Sequence, residues 1–199
     1  MERLSILGIC GSLRRASYNR SAMRLAAACM PEGMHCVDAE IDAIPLFNGD
    51  EFAEGFPPSV VQLREAIARA DGVLIASPEY NFSIPGVLKN VLDYVSRGAD
   101  QPFAGKPVAI LSASMGMLGG VRMQYDLRKT LTYLGPLVMH KPEVFIGAAH
   151  TKFAADGSCA DEPTRAIVTE QMAAFRHWIL AVRRMNQRED RPALAHVPA

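Results

Sequence analysis

Three observations in the amino-acid sequence predict an α/β doubly wound parallel sheet. Strand-like apolar runs alternate with helix-length segments along most of the 199 residues. Two of those runs, within Gly72–Ser77 and Pro107–Ser112, are apolar without alternation, as strands covered on both faces are. The first run, Leu4–Cys10, passes directly into a polar turn and then a helix. In open sheets of this class such turns lie at the carboxyl ends of the strands, where ligands bind.

The elements follow in order. Leu4–Cys10 reads as the first strand, and Asn19–Met30, rich in Ala and Leu, as a helix ended by Pro31 and Gly33. His35–Ala39 is a short second strand. Residues 41–57 form a connection with Pro45, Gly49 and Gly55, too long for a bare linker. Pro58–Ala70 is a helix with Val61, Ile67 and Ala68 at helical spacing. Gly72–Ser77 is the third strand, Gly86–Ser96 a helix, Pro107–Ser112 the fourth strand and Gly120–Leu134 a helix. Leu137–Met139 and Val144–Ile146 read as a fifth strand, interrupted near Lys141-Pro142. Glu162–Met185 is a long last helix, and residues 186–199 a polar tail with two prolines. Residues 1–185 are expected to be one domain, with right-handed crossovers and no internal repeat. In the strand order 2-1-3-4-5 the ligand crevice lies between strands one and three. The loops after strands one, three and four then share a rim.

Composition bounds the function. Hydrophobic residues make up 49% of the chain, charged residues 21%, and 21 basic residues balance 21 acidic ones. Zero net charge disfavours a nucleic-acid surface, a basic membrane-attracted face and a strongly acidic electron carrier. No apolar run is long enough to span a bilayer. The segment after Leu4–Cys10 offers no convincing small-residue cleavage site, and a cytoplasmic location is expected. The four cysteines lack C-x-x-C spacing and read as reduced thiols. Cys10 reads as a small core residue, with a reactive thiol beside the turn as the alternative. No pair of histidines, or histidine and cysteine, has metal-ligand spacing, so no metal is expected.

The turn Gly11–Arg20, GSLRRASYNR, carries the strongest functional signal. A strand turning tightly into a helix brings free backbone N–H groups and the positive end of the helix dipole to one place. Ser12, Ser17, Asn19 and the arginines add donors suited to a dianionic phosphate monoester. The turn has no Gly-Lys-Ser/Thr and no G-x-G-x-x-G, which excludes a triphosphate loop and a dinucleotide fingerprint. An ordinary turn with an N-capping Ser or Asn remains the alternative reading of this segment alone.

The other two loops suit a flat ring. Residues 77–86, SPEYNFSIPG, are stiffened by two prolines and offer Tyr80 and Phe82 with Glu79, Asn81 and Ser83. Lys89 and Asp93, four apart on the following helix, read as a local ion pair. Residues 112–120, SASMGMLGG, carry hydroxyls and glycines without charge, fitting either close approach to a ring edge or a flexible turn.

These segments resemble the NAD(P)H-dependent FMN reductase family of flavodoxin-like proteins, which includes bacterial quinone, chromate and azo-dye reductases. The resemblance lies in GSLRRASYN at 11–19, SPEYNFSIPGVLKNVLDYVSR at 77–97 and SASMGMLGGVRMQYDLR at 112–128, and extends over about residues 3 to 180. It implies a flavodoxin-like five-stranded sheet and FMN as cofactor, with NAD(P)H as electron donor. By position, Ser12, Arg14, Ser17, Tyr18 and Asn19 would hold the phosphate. Pro78, Glu79, Tyr80 and Asn81 would border the isoalloxazine from one loop, and Ser114 and Gly116 from the other. No catalytic acid or base is implied, because hydride transfer needs orientation more than side-chain chemistry. Quinones, free flavin, oxyanions such as chromate, and azo or nitro compounds are the implied small-molecule acceptors, reduced by ping-pong transfer. A flavin-binding regulatory subunit or an electron carrier is the alternative. The family also implies a homodimer or homotetramer. Tyr94, Arg122, Tyr125, Arg128 and Glu143 are expected at the contact, while Phe47, Phe52 and Phe56 are expected to pack on the core rather than on a ring.

Overall fold

The structure, a computed structural model, describes residues 3–187. The strands are β1 (Leu4–Cys10), β2 (Met34–Asp38), β3 (Gly72–Ala76), β4 (Pro107–Ala113), β5 (Leu137–Val138) and β6 (Val144–Ile146). The helices are α1 (Tyr18–Ala28), α2 (Gly49–Ala53), α3 (Pro58–Arg69), α4 (Gly86–Val95), α5 (Val121–Leu134) and α6 (Glu162–Asn186). A 3-10 turn covers Ala149–Thr151. Of the tail expected from residue 186, only Asn186 and Gln187, which close α6, are described; the rest lies outside the described residues.

All strand pairs are parallel, in the order β2-β1-β3-β4-β5, so the sheet has the expected flavodoxin-like topology. β6 also pairs with β4, continuing the edge that β5 begins. The fifth strand is therefore split in two. Across the gap the buried Gln171 of α6 donates to Ile110 O at 2.9 Å and Pro142 O at 3.1 Å. Gln124 of α5 donates to Val144 O at 2.8 Å. Side-chain amides thus satisfy carbonyls where the ladder is interrupted.

Alternate strand residues face opposite layers, and each layer has its own core. Leu4, Ile6, Leu74, Ala109 and Leu111 pack with α1 and α6 through Met23, Met172, Phe175 and Ile179. Leu7, Ile9, Val73, Ile75, Val108 and Ile110 pack with α3, α4 and α5 through Ile67, Leu92, Leu127 and Leu131. Each such large side chain, fully buried, contributes about 1.5–3 kcal/mol. This double coverage is the reason β3 and β4 read as unbroken apolar runs.

The 41–57 connection holds the short helix α2, none of whose residues is buried. Asn48 caps it, accepting Asp50 N–H at 3.1 Å. Asn90 of α4 clamps the segment before it, taking Phe47 N–H at 2.8 Å and donating to Pro45 O at 2.7 Å. Phe47, Phe52 and Phe56 form a chain of ring contacts against α4 and α3, ending with the Arg64 guanidinium 4.5 Å from the Phe56 ring. Phe47 meets Tyr94 edge-on at 5.1 Å. Tyr94 is wholly buried, which corrects its expected place at a subunit contact: it faces the aromatic connection, not solvent.

Candidate functional site

The carboxyl ends of β1, β3 and β4 bring the three loops together in one cleft of about 160 Å³. Nine of the eleven candidate residues line it: Ser12, Arg14, Ser17, Tyr18, Asn19, Pro78, Glu79, Tyr80 and Ser114. Ala113 and Met115, which the sequence reading did not single out, line it too. Asn81 and Gly116 lie outside the lining.

The first loop is held against the second by a missing side chain. A Cβ on Gly11 would stand 2.4 Å from Ser77 Oγ, so only glycine lets the β1 turn approach the end of β3 this closely. Ser17 caps α1, accepting Asn19 N–H at 3.2 Å through its hydroxyl oxygen. The backbone N–H groups of Ser12, Leu13, Arg14 and Tyr18 meet no protein acceptor among the described residues. They stand beside the buried Ser12 and Ser17 and the exposed Arg14. Free N–H groups, two hydroxyls and a guanidinium at a helix start fit a phosphate monoester.

Asn19 has a different geometry from a phosphate ligand. Its side-chain amide donates to Ala113 O at 2.9 Å and accepts Ala113 N–H at 2.8 Å. Both side-chain groups are thereby engaged across 94 positions of sequence. Asn19 pins the start of α1 to the end of β4 and so fixes the spacing of the first and third loops.

The second loop is a tight hairpin strapped to α5. Tyr80 and Ser83 exchange backbone hydrogen bonds at 3.1 and 3.0 Å, with Asn81 and Phe82 at φ 50° and 67° between them. Left-handed conformations are costly for a bulky residue such as Phe82, and three contacts hold this one in place. The Arg122 guanidinium lies 3.7 Å from the Phe82 ring centre. Ser83 donates to the Asp126 carboxylate at 2.7 Å, which holds that carboxyl below its ordinary range. Glu79 accepts the N–H groups of Arg122 and Met123 in the first turn of α5, at 3.1 and 3.3 Å. The Glu79 carboxylate is thus directed at the helix start while its residue lines the cleft.

The third loop rests on the segment after β6. Ser114 N–H bonds Ile146 O at 3.0 Å, and Ala148 N–H bonds Gly116 O at 3.1 Å. A Cβ on Gly147 would lie 2.2 Å from Met117 O, so this backing position must also be glycine. Gly116 O further accepts the Ser114 hydroxyl at 3.0 Å.

Other candidates resolve locally. Burial pushes the Cys10 thiol up, in keeping with a core residue. Lys89 and Asp93 form the expected pair at 2.6 Å. Arg122 is paired with Glu79 at 2.6 Å, and Glu143 with Lys141 at 2.6 Å. Tyr125 is exposed and Arg128 half-buried. Among the described residues no group of His, Cys, Asp or Glu is placed to hold a metal ion, and no helix is long and apolar enough to cross a membrane.

Known proteins resemble this chain in sequence and fold. A family model of NADPH-dependent FMN reductases matches residues 4–151. An NAD(P)H-dependent FMN reductase of Pseudomonas aeruginosa is 47% identical over 182 residues, covering 92% of this chain and 98% of the relative. A quinone reductase of Escherichia coli is 44% identical over 186 residues, with 92% and 98% covered. Among solved structures, the flavoenzyme FerB of Paracoccus denitrificans, an NAD(P)H:(acceptor) oxidoreductase, superposes with a TM-score of 0.82 at 33% identity, over 89% of this chain and 98% of that one.

Proposed function

The chain belongs to the NADPH-dependent FMN reductase family, and from that premise we propose that it is an FMN-containing oxidoreductase that carries electrons from NAD(P)H to quinones. The observation that carries the reading is the convergence of a phosphate-type turn and two ring-bordering loops on one cleft. The 44% identity to a quinone reductase supports the acceptor class. Free flavin, chromate, and azo or nitro compounds are further acceptors for the same site.

The residues divide the work. The turn from Ser12 to Ser17 holds the phosphate of FMN through N–H groups, hydroxyls and Arg14. Pro78, Tyr80, Asn81, Ser114 and Gly116 border the ring, with Ala113 and Met115 beside them. Glu79 and Asn19 fix the loops in place through α5 and β4. When bound, FMN supplies hydride acceptance from a reduced nicotinamide and delivery of the electrons to a second substrate. The protein's part is orientation and the exclusion of side reactions.

The cleft is open, and neither bordering loop is long enough to cover a ring. Donor and acceptor therefore use one face in turn, in ping-pong order. Exposed Tyr80, Phe82, Met115 and Tyr125 near this rim support a homodimer or homotetramer in which a second copy covers part of it. Arg122, Tyr125 and Glu143 are the polar groups of that contact. Residues 1–185 act as one cytoplasmic domain. The test is steady-state kinetics with NADPH and the quinone menadione. Parallel double-reciprocal lines are expected; intersecting lines would show both substrates bound together and end the single-face reading.

A further inference from the structure

On the β2 side of the phosphate turn, the carboxyl ends of β1 and β2 border a second cavity, of about 390 Å³. It shares the turn with the flavin cleft but no lining residue. Leu13 and Ile41 give it apolar surface, and Arg20, Asp38, Glu40 and Asp42 give it charge. Arg20 is the unusual member. It stands in the first turn of α1 with its Nε buried, and among the described residues its guanidinium makes no hydrogen bond or ion pair. Three carboxylates line the same cavity, yet none pairs with it. A guanidinium with a buried Nε and no acceptor among the described residues is an unmet demand for an anion. Asp38, the exposed last residue of β2, lines the same cavity and offers a carboxylate to hydroxyl donors.

We propose that this cavity takes the adenosine 5′-phosphate end of the nicotinamide donor. Arg20 bonds a phosphate oxygen, Asp38 accepts from the ribose hydroxyls, and the base lies on Leu13 and Ile41. The turn between the two sites carries the exposed Arg15, a cation suited to a pyrophosphate crossing it. Arg15 thereby acquires a role that the flavin phosphate does not give it. Among the described residues Arg20 is the one cation of the lining and meets the 5′-phosphate, which leaves only carboxylates for an added 2′-phosphate, so the site selects NADH over NADPH. The proposal rests on the reading of the chain as an NAD(P)H-dependent flavoenzyme.

The probes are adenosine 5′-monophosphate and adenosine 2′,5′-bisphosphate, added to the FMN-loaded protein and followed by calorimetry. The monophosphate is expected to bind and to compete with NADH, and the bisphosphate to bind at least about tenfold more weakly. Arg20→Ala should raise KM for NADH about tenfold with little change in kcat and no loss of FMN, the loss of one charge-assisted hydrogen bond. Asp38→Asn, at an exposed position, should weaken the monophosphate and narrow the gap between the two probes. No binding of the monophosphate at millimolar concentration, equal binding of both probes, or an unchanged KM in Arg20→Ala would each overturn the site. Monophosphate binding without any NAD(P)H oxidation would instead sink the enzymatic reading and leave the site standing.

Discussion

The Glu79 carboxylate bonds Arg122 at both ends of that residue: one oxygen takes the side-chain Nε at 2.7 Å, the other the backbone N–H at 3.1 Å. This ties the loop after β3 to the first turn of α5. The carboxylate is largely buried, whereas the arginine side chain is 43% exposed.

That asymmetry sets the first prediction. Glu79→Ala removes a helix cap as well as an ion pair and should cost about 1–2 kcal/mol. Arg122→Ala loses a half-exposed pair and should cost about 0.5 kcal/mol. Urea denaturation of the two variants measures the order. A larger loss for Arg122→Ala would mean that stacking on Phe82, not the cap, holds the loop.

Asn19→Ala should be more damaging than either. It leaves the N–H and C=O of Ala113 buried without partners, at about 2–4 kcal/mol in total. Because Asn19 spaces two loops of the cleft, FMN affinity should fall with stability. An Asn19→Ala protein of wild-type denaturation midpoint would contradict the clamp.

Arg14→Ala should weaken FMN ten- to a hundredfold, the loss of a charge-assisted bond of about 1.5–3 kcal/mol. Arg15→Ala should leave FMN affinity nearly unchanged. Fluorescence titration of free FMN reads both, and equal losses would remove the distinction between the two arginines.

The Ser83 hydroxyl makes the loop sensitive to acid. It holds the Asp126 carboxyl below its ordinary value, with Lys129 adding to the effect. A depressed carboxyl contributes stability above its unfolded pKa, and that contribution is lost as pH falls through the folded value. NMR titration should find Asp126 below the usual aspartate range, and Ser83→Ala should move it back up. An unshifted Asp126 in the wild type would show the bond to be absent in solution.

Much of this was legible in the sequence because double-faced burial writes unbroken apolar runs, as in Val73–Ala76, and because Gly11–Arg20 lists donors in order. Of the eleven candidate residues named from sequence, nine line one cleft. What the sequence reading missed depends on pairings far apart in the chain. The bonds of the Asn19 side chain to Ala113 join residues 94 positions apart and leave no local signal. Nothing in the sequence says that the Glu79 carboxylate, in a residue lining the cleft, also caps the start of α5. Tyr94 looks like a surface aromatic because nothing nearby in sequence announces Phe47. The helix at Gly49–Ala53 has no buried residue and so leaves no periodic pattern to read.

The central claim, that the cleft binds FMN and passes electrons from a reduced nicotinamide, is tested most directly by absorbance. The purified protein, incubated with FMN and freed of excess, should retain a flavin spectrum with about one FMN per chain, and anaerobic addition of one equivalent of NADH or NADPH should bleach it. A protein that keeps no flavin, or a bound flavin that neither nucleotide reduces, would contradict the account.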